Sequence, residues 1–183
     1  MALLAADDIY GQTFVDWFAF QAVGLNLEPV CIETYKQAGE LESCLQRIID
    51  SGADDNVLFF WSGHGTQQGW KWKETENLNA DFVRPMFSAM KFRKMFAIIE
   101  TCYSGGVAQD CTGIPDLLMM TAANPYETSK ADAFDNELQV YLSNTFTSSI
   151  LSQLESNPQT VIRDLYLHAF DKTNGSHVMV YHA

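Results

Sequence analysis

Asn56–Gly65 reads N-V-L-F-F-W-S-G-H-G. Val57 to Trp61 form an unbroken apolar run between turn-forming residues, which predicts a buried strand. The run stops abruptly at a histidine flanked by glycines. Met95–Gly106, M-F-A-I-I-E-T-C-Y-S-G-G, repeats the plan, with an apolar strand, a reactive side chain at Cys102 and then two glycines. Strands buried on both faces belong to parallel sheets covered by helices. In such sheets ligands gather outside the carboxyl ends of the strands. One pattern therefore predicts both an α/β fold and the edge where chemistry sits.

Outward from these segments, the chain alternates between short apolar runs and helical periods. Ala2–Ala6, Glu28–Tyr35, Leu117–Ala123 and Ser176–Tyr181 read as further strands. Helical spacing predicts helices over about 12–25, 39–51, 82–91, 145–154 and 161–170, the third packing through Met86 and Met90. Gln68–Lys73, Q-G-W-K-W-K, reads as a small exposed hairpin, with Trp70 and Trp72 as a candidate partner surface or a local packing pair. Tyr126–Asn136 reads as a long polar loop. With no repeat, linker or low-complexity stretch, the expectation is one domain over residues 1–183. Its architecture is a three-layer α/β/α sandwich around a mostly parallel sheet of about six strands.

Composition narrows the function. The 183 residues carry 11 Lys+Arg against 23 Asp+Glu, a net charge of −12. So acidic a surface repels phosphate backbones and anionic lipid. The basic knot Lys91, Arg93 and Lys94 is too small for a nucleic-acid groove, so neither nucleic acid nor membrane is an expected partner. No stretch approaches the roughly 20 apolar residues of a membrane span. The N-terminus, MALLAADD, lacks the basic start and apolar run of a secretory signal, and the compartment is left open. Cys31, Cys44, Cys102 and Cys111 do not pair as C-x-x-C and have no histidine at zinc-ligand spacing. There is no EF-hand loop for calcium, and no cofactor is expected. The sequon Asn174-Gly-Ser is a nonspecific signal. Oligomeric state is not legible.

If the two glycine-flanked strands are neighbours, the His64 imidazole and the Cys102 thiol share a crevice, as nucleophilic cysteine catalysis requires. Gly63 and Gly65 permit a sharp turn and the close approach of a bare N–H to a reacting carbonyl. One such donor to an oxyanion is worth roughly 3–4 kcal/mol. Gly105 and Gly106 keep the wall beside the thiol thin. A cysteine at a strand end is by itself usually a small core hydrophobe. Two reactive residues in matching turns favour the chemical reading.

Phe59–Gly65, F-F-W-S-G-H-G, and Ile98–Gly106, I-I-E-T-C-Y-S-G-G, resemble the legumain family of cysteine peptidases. That family includes the catalytic subunit of GPI transamidase and belongs to the caspase-like clan. Lys91–Phe96, Thr121–Ser129 and Asn174–Tyr181 are similar to further family segments, in order and at compatible spacing. The resemblance implies a caspase-like fold and a cysteine endopeptidase acting on peptide or protein substrates. It gives Cys102 the role of nucleophile and His64 that of acid to the leaving amine. The Gly65 and Cys102 N–H groups become the oxyanion hole.

The resemblance also places Glu100 at the wall of the primary specificity pocket, the plain alternative being a solvated strand-end carboxylate. Thr128 and Ser129 fall at pocket-lining positions, and Ser104 falls at a bracing one. Asp7 or Asp8 is the candidate for orienting the histidine. Two departures alter the specificity. No arginine precedes Arg47, and Asn144 stands where the family has an aspartate. Asparagine preference is therefore not carried over, and an acidic pocket suits Lys or Arg. The chain stops where the family's catalytic domain stops, and no counterpart of its autoinhibitory pro-domain is expected. Transpeptidation or transamidation and a silent caspase-like binding module are the competing readings.

Overall fold

The structure, a computed structural model, describes residues 2–6, 31–35, 56–72, 76–137 and 139–183. The helices expected over 12–25 and 39–51 lie outside the described residues, as do Asp7, Asp8 and Cys44. Contacts divide the chain into two units, residues 1–55 with 90–92 and residues 56–89 with 93–183. In the first unit, β1 (Ala2–Ala6) and β2 (Cys31–Tyr35) pair in parallel, from Ala2↔Cys31 to Ala6↔Tyr35.

The second unit is built on four strands. They are β3 (Asn56–Ser62), β7 (Lys94–Glu100), β8 (Leu117–Thr121) and β11 (Met179–His182), in the order β11-β8-β7-β3. The strands β3, β7 and β8 run parallel, and β11 is antiparallel to β8. β4 (Gly65–Thr66), β5 (Gly69–Lys71) and β6 (Asn77–Leu78) form a separate antiparallel sheet. A hairpin of β9 (Ala131–Asp135) and β10 (Val140–Asn144) makes another.

The fold is α/β, but the expected single sheet of about six strands is corrected. The described strands divide among four sheets, the largest having four strands. An apolar run predicts that a strand is covered without naming its neighbour, so counting runs overestimates one sheet. β3 departs from expectation in the same way. Leu58 and Phe60 are exposed, and only the alternate side chains Val57, Phe59 and Trp61 are half-buried. Among the described residues β3 ends the four-stranded sheet, and the exposed Leu58 and Phe60 show that its run is not buried on both faces.

Pleating assigns the core. Ile98 on β7 and Met120 on β8 face α3 (Thr145–Ser156) and α4 (Ile162–Lys172). Phe146 and Ile150 of α3, Leu165 and Ala169 of α4, and Val178 close this cluster at helical spacings of four. Burying each such large side chain is worth about 1.5–3 kcal/mol. On the other face, Phe87 of α1 (Ala80–Ala89) meets Phe59 edge-on at 5.2 Å. The Asn79 side chain accepts the Phe82 N–H and caps α1. That start sets Val83 and Phe87 inward, instead of the expected Met86 and Met90.

Two local expectations also change. Tyr126–Asn136 is not all loop, because residues 131–135 pair with β10, and Phe134 packs on Tyr141 at 5.0 Å. This hairpin is largely exposed, so it lacks the apolar run that marks a core strand. The tryptophan hairpin is not an exposed surface. Trp70 is 1% exposed, and Trp61 stacks on Trp70 at 6.0 Å and on Trp72 at 6.5 Å.

Candidate active site

The parallel register of β3 and β7 ends at Ser62↔Glu100. His64 and Cys102 each stand two residues beyond that last pair, so both turns leave the same edge of the sheet. Backbone bonds hold them there. The Gly63 N–H donates to the Glu100 carbonyl at 3.1 Å, and the Lys71 N–H donates to the His64 carbonyl at 2.8 Å. A Cβ on Gly65 would overlap the Cys102 carbonyl oxygen and crowd the Thr101 side chain. This close approach explains why glycine follows His64. The His64 side of the site is exposed, whereas Thr101 and Ser104 are buried and Cys102 is half-buried.

Beyond Cys102 the backbone turns through Tyr103, at φ 55° and ψ 23°, into the short helix α2 (Ser104–Asp110). A left-handed non-glycine residue is uncommon and must be held by its surroundings. Four hydrogen bonds do this. The Tyr103 N–H donates to the Glu127 carbonyl at 2.8 Å, and the Gly105 N–H donates to the Ala123 carbonyl at 3.1 Å. Ser104 Oγ donates to the same carbonyl at 3.2 Å and accepts the Ala123 N–H at 3.1 Å. Ser104 thus takes the bracing position expected of it. α2 packs against β5, joining the Cys102 turn to the tryptophan hairpin.

Glu100 is 1% exposed, so it is not a solvated strand-end carboxylate. It shares the pleat of Ile98 and faces the start of α3. There Oε2 accepts the Thr147 N–H at 3.1 Å and the Thr147 hydroxyl at 3.0 Å. Burial pushes the carboxyl above the ordinary carboxylate range, against these bonds and the Ser129 hydroxyl, which favour the ionised form. Oε1 has no partner within hydrogen-bonding geometry.

Ser129 stands between this carboxyl and the thiol. Cys102 Sγ lies 3.9 Å from Ser129 Oγ and 4.0 Å from the Ser129 carbonyl. Thr128 is half-buried and accepts from Lys130 Nζ at 3.0 Å. Half-buried Asn144 precedes α3 in extended conformation, three residues before Thr147. The structure thus brings Cys102, Ser129, Glu100 and Thr147 together. Asp7 and Asp8 fall outside the described residues.

The two described thiols differ. Cys102 and Cys111 are both free, but Cys111 is buried and desolvation pushes it up to about 11, which disfavours the reactive thiolate. Among the described residues, no three His, Cys, Asp or Glu side chains are grouped to hold a metal ion. No helix among them is long and apolar enough to cross a membrane. A cleft of about 500 Å³ opens between the hairpin turn and α2, touching Gln67, Gln68, Asp81, Gly106 and Tyr126. Neither Glu100 nor Ser129 lines it.

Two contributors are not legible in the motifs. Thr147 offers no sequence signal beyond its position at a helix start. Glu127 had one, because Asn124-Pro-Tyr-Glu127 has the spacing of a capping box. Glu127 Oε1 accepts the Asn124 N–H at 3.0 Å and the His177 N–H at 2.6 Å, while Oε2 meets His177 Nδ1 at 2.8 Å. Burial alone would raise this carboxyl. The Asn124 and His177 hydrogen bonds outweigh it and hold the group below the ordinary carboxylate range.

The profile of the Peptidase C13 family matches residues 33–183. Legumain of Rattus norvegicus is 29% identical over 141 residues, which cover 74% of this chain and 32% of that protein. Legumain of Homo sapiens is 28% identical over the same shares. GPI-anchor transamidase of Saccharomyces cerevisiae is 24% identical over 96% of this chain and 43% of its own length. The chain thus spans about a third of the length of the legumains it matches. With both glycine-flanked turns inside the matched region, the chain belongs to the Peptidase C13 family, within the caspase-like clan.

Proposed function

We propose that the chain is a single caspase-like, three-layer domain acting as a cysteine endopeptidase through Cys102 and His64. The observation that carries this reading is the Ser62↔Glu100 register, which sends both turns off one sheet edge with Gly65 against the Cys102 backbone. The Cys102 thiolate attacks the scissile carbonyl while the Gly65 and Cys102 N–H groups receive the developing oxyanion. His64 gives a proton to the departing amine, leaving a thioester. Water then attacks the thioester, releasing the acid and regenerating the thiol.

Primary specificity is altered from asparagine. Glu100, Ser129, Thr128 and Asn144 form the pocket, and the unpartnered Oε1 of Glu100 asks for a hydrogen-bond donor. A Lys or Arg side chain satisfies it with matched charge. A peptide library varied at the residue before the scissile bond tests this, with Cys102→Ala as control. Cleavage by the parent alone, enriched for basic residues, is expected. Equal cleavage by the control would overturn the peptidase reading, and a library preference without basic enrichment would overturn the pocket assignment.

A second reading is transfer to an amine instead of water. The match to the yeast GPI-anchor transamidase over 96% of this chain favours it. Adding a nucleophilic peptide to the same assay separates the two by ligated product.

A further inference from the structure

The geometry points to Glu127 and His177 as positioning residues for the nucleophile, a carboxylate–imidazole fastening that acts on Cys102 without touching it. The inference rests on the reading of Cys102 as nucleophile. Its starting point is the left-handed Tyr103, which lets the chain leave β7 and enter α2 with the thiol between them. The bond that closes on this residue is Tyr103 N–H to the Glu127 carbonyl. The other three bracing bonds, from Ser104 and Gly105, all end on Ala123. The nucleophile turn is therefore held by one segment, residues 123–127, at its two ends.

That segment is fixed in turn by the Glu127 side chain. One carboxylate oxygen gathers the Asn124 N–H, closing the segment on itself, and the His177 N–H, tying it to the approach of β11. The other oxygen meets His177 Nδ1. The Asn124 side chain accepts the Tyr126 N–H at 2.8 Å and completes the turn. Removing the carboxylate frees the Glu127 end of the segment from Asn124 and His177, while the Ala123 end keeps its bonds to Ser104 and Gly105. The Glu127 carbonyl then drifts from Tyr103, and the Cys102 backbone N–H moves with it.

The prediction is a defect in the chemical step with binding preserved. Displacing a reacting group by about 1 Å can cost about 100-fold, so Glu127→Ala lowers kcat by about 10- to 100-fold and leaves KM within about twofold. Glu127→Gln keeps an acceptor for both backbone N–H groups and loses less. His177→Ala keeps its own backbone bond and loses about three- to tenfold. His177→Asn, whose amide can donate from the place of Nδ1, recovers to within about twofold of the parent.

The test measures kcat and KM for the parent and these four variants, with labelling of Cys102 by a peptide-directed electrophile and near-UV circular dichroism to confirm folding. A fall in kcat at constant KM, matched by slower Cys102 labelling and restored by His177→Asn, supports the fastening. An active parent equalled within twofold by a folded Glu127→Ala overturns it, as does a loss appearing only in KM. If Glu127→Ala does not fold, the His177→Ala and His177→Asn pair decides, and equal activity in the two overturns it. A parent that neither cleaves nor labels overturns the reading of Cys102, and this inference with it.

Discussion

The two turns at the end of the sheet are held by different means. The Cys102 turn is built into the core. Thr101 and Ser104 have no solvent exposure, and four hydrogen bonds run from residues 103–105 and their contacts into residues 123–127. The His64 turn is exposed and is tied, among the described residues, by the Gly63 and Lys71 backbone bonds and the Gly65–Trp70 pairing. Behind it, the hairpin of β4 and β5 is pinned by Trp70 on Trp61. The Cys102 turn is thus anchored in buried residues, and the His64 turn adjoins a small sheet clamped by aromatic stacking. Such a division suits the proposed roles, a Cys102 whose N–H stays in place and a His64 imidazole that follows the departing amine.

The largest expected effect comes where the turns touch. Gly65→Ala drives a methyl group into the Cys102 carbonyl, and displacing the N–H proposed as an oxyanion donor should cost about 10²- to 10³-fold in kcat. Gly106→Ala supplies the internal contrast, because a Cβ there meets nothing within 4 Å. It should leave Tm and activity near parental values. Equal damage by both substitutions would break the distinction between the turns.

Next is the clamp behind the histidine. Trp70→Ala removes a fully buried ring and should cost about 3–5 kcal/mol, read by denaturant unfolding. Its amides in residues 65–71 should lose hydrogen-exchange protection ahead of those in β7. Uniform loss across both would show that the hairpin is not a separate unit. Ser104→Ala probes the other turn and strands the buried Ala123 N–H, costing about 1–3 kcal/mol. Here β7 and β8 should weaken with the global transition.

How much of this was legible depended on whether a residue's job was local. The strand-turn plan of Val57–Gly65 and Phe96–Gly106 could be read because apolar runs and glycine-flanked turns are neighbouring residues. Pairing could not be read, since nothing in N-V-L-F-F-W names β7 as its partner or predicts that Leu58 and Phe60 stay exposed. The same limit hid the bond from Thr147 to Glu100, which joins residues 47 positions apart. It also hid the His177 half of the Glu127 fastening. The β9–β10 hairpin escaped for another reason, because its pairing is backbone-driven and mostly solvent-exposed.

The smallest expected effect concerns Glu100 and carries a definite sign. Burial raises its folded pKa from the ordinary 4.5. Its contribution to stability is therefore fully present below that ordinary value and is lost as pH rises through the raised one. Glu100→Gln removes this titration. The variant should show a flatter dependence of Tm on pH and a higher Tm than the parent at pH 7, while losing any preference for basic residues. A parental pH slope in the variant would assign the burden to another group.

The central claim is that the braced turn makes Cys102 the reactive thiol of this chain. Its most direct test is mass-spectrometric mapping of the protein after reaction with a peptide-directed thiol electrophile at neutral pH. The account predicts a single adduct on Cys102, lost in Cys102→Ala, with buried Cys111 unmodified. An adduct on Cys111 instead, or a folded protein with no adduct on Cys102, would contradict it.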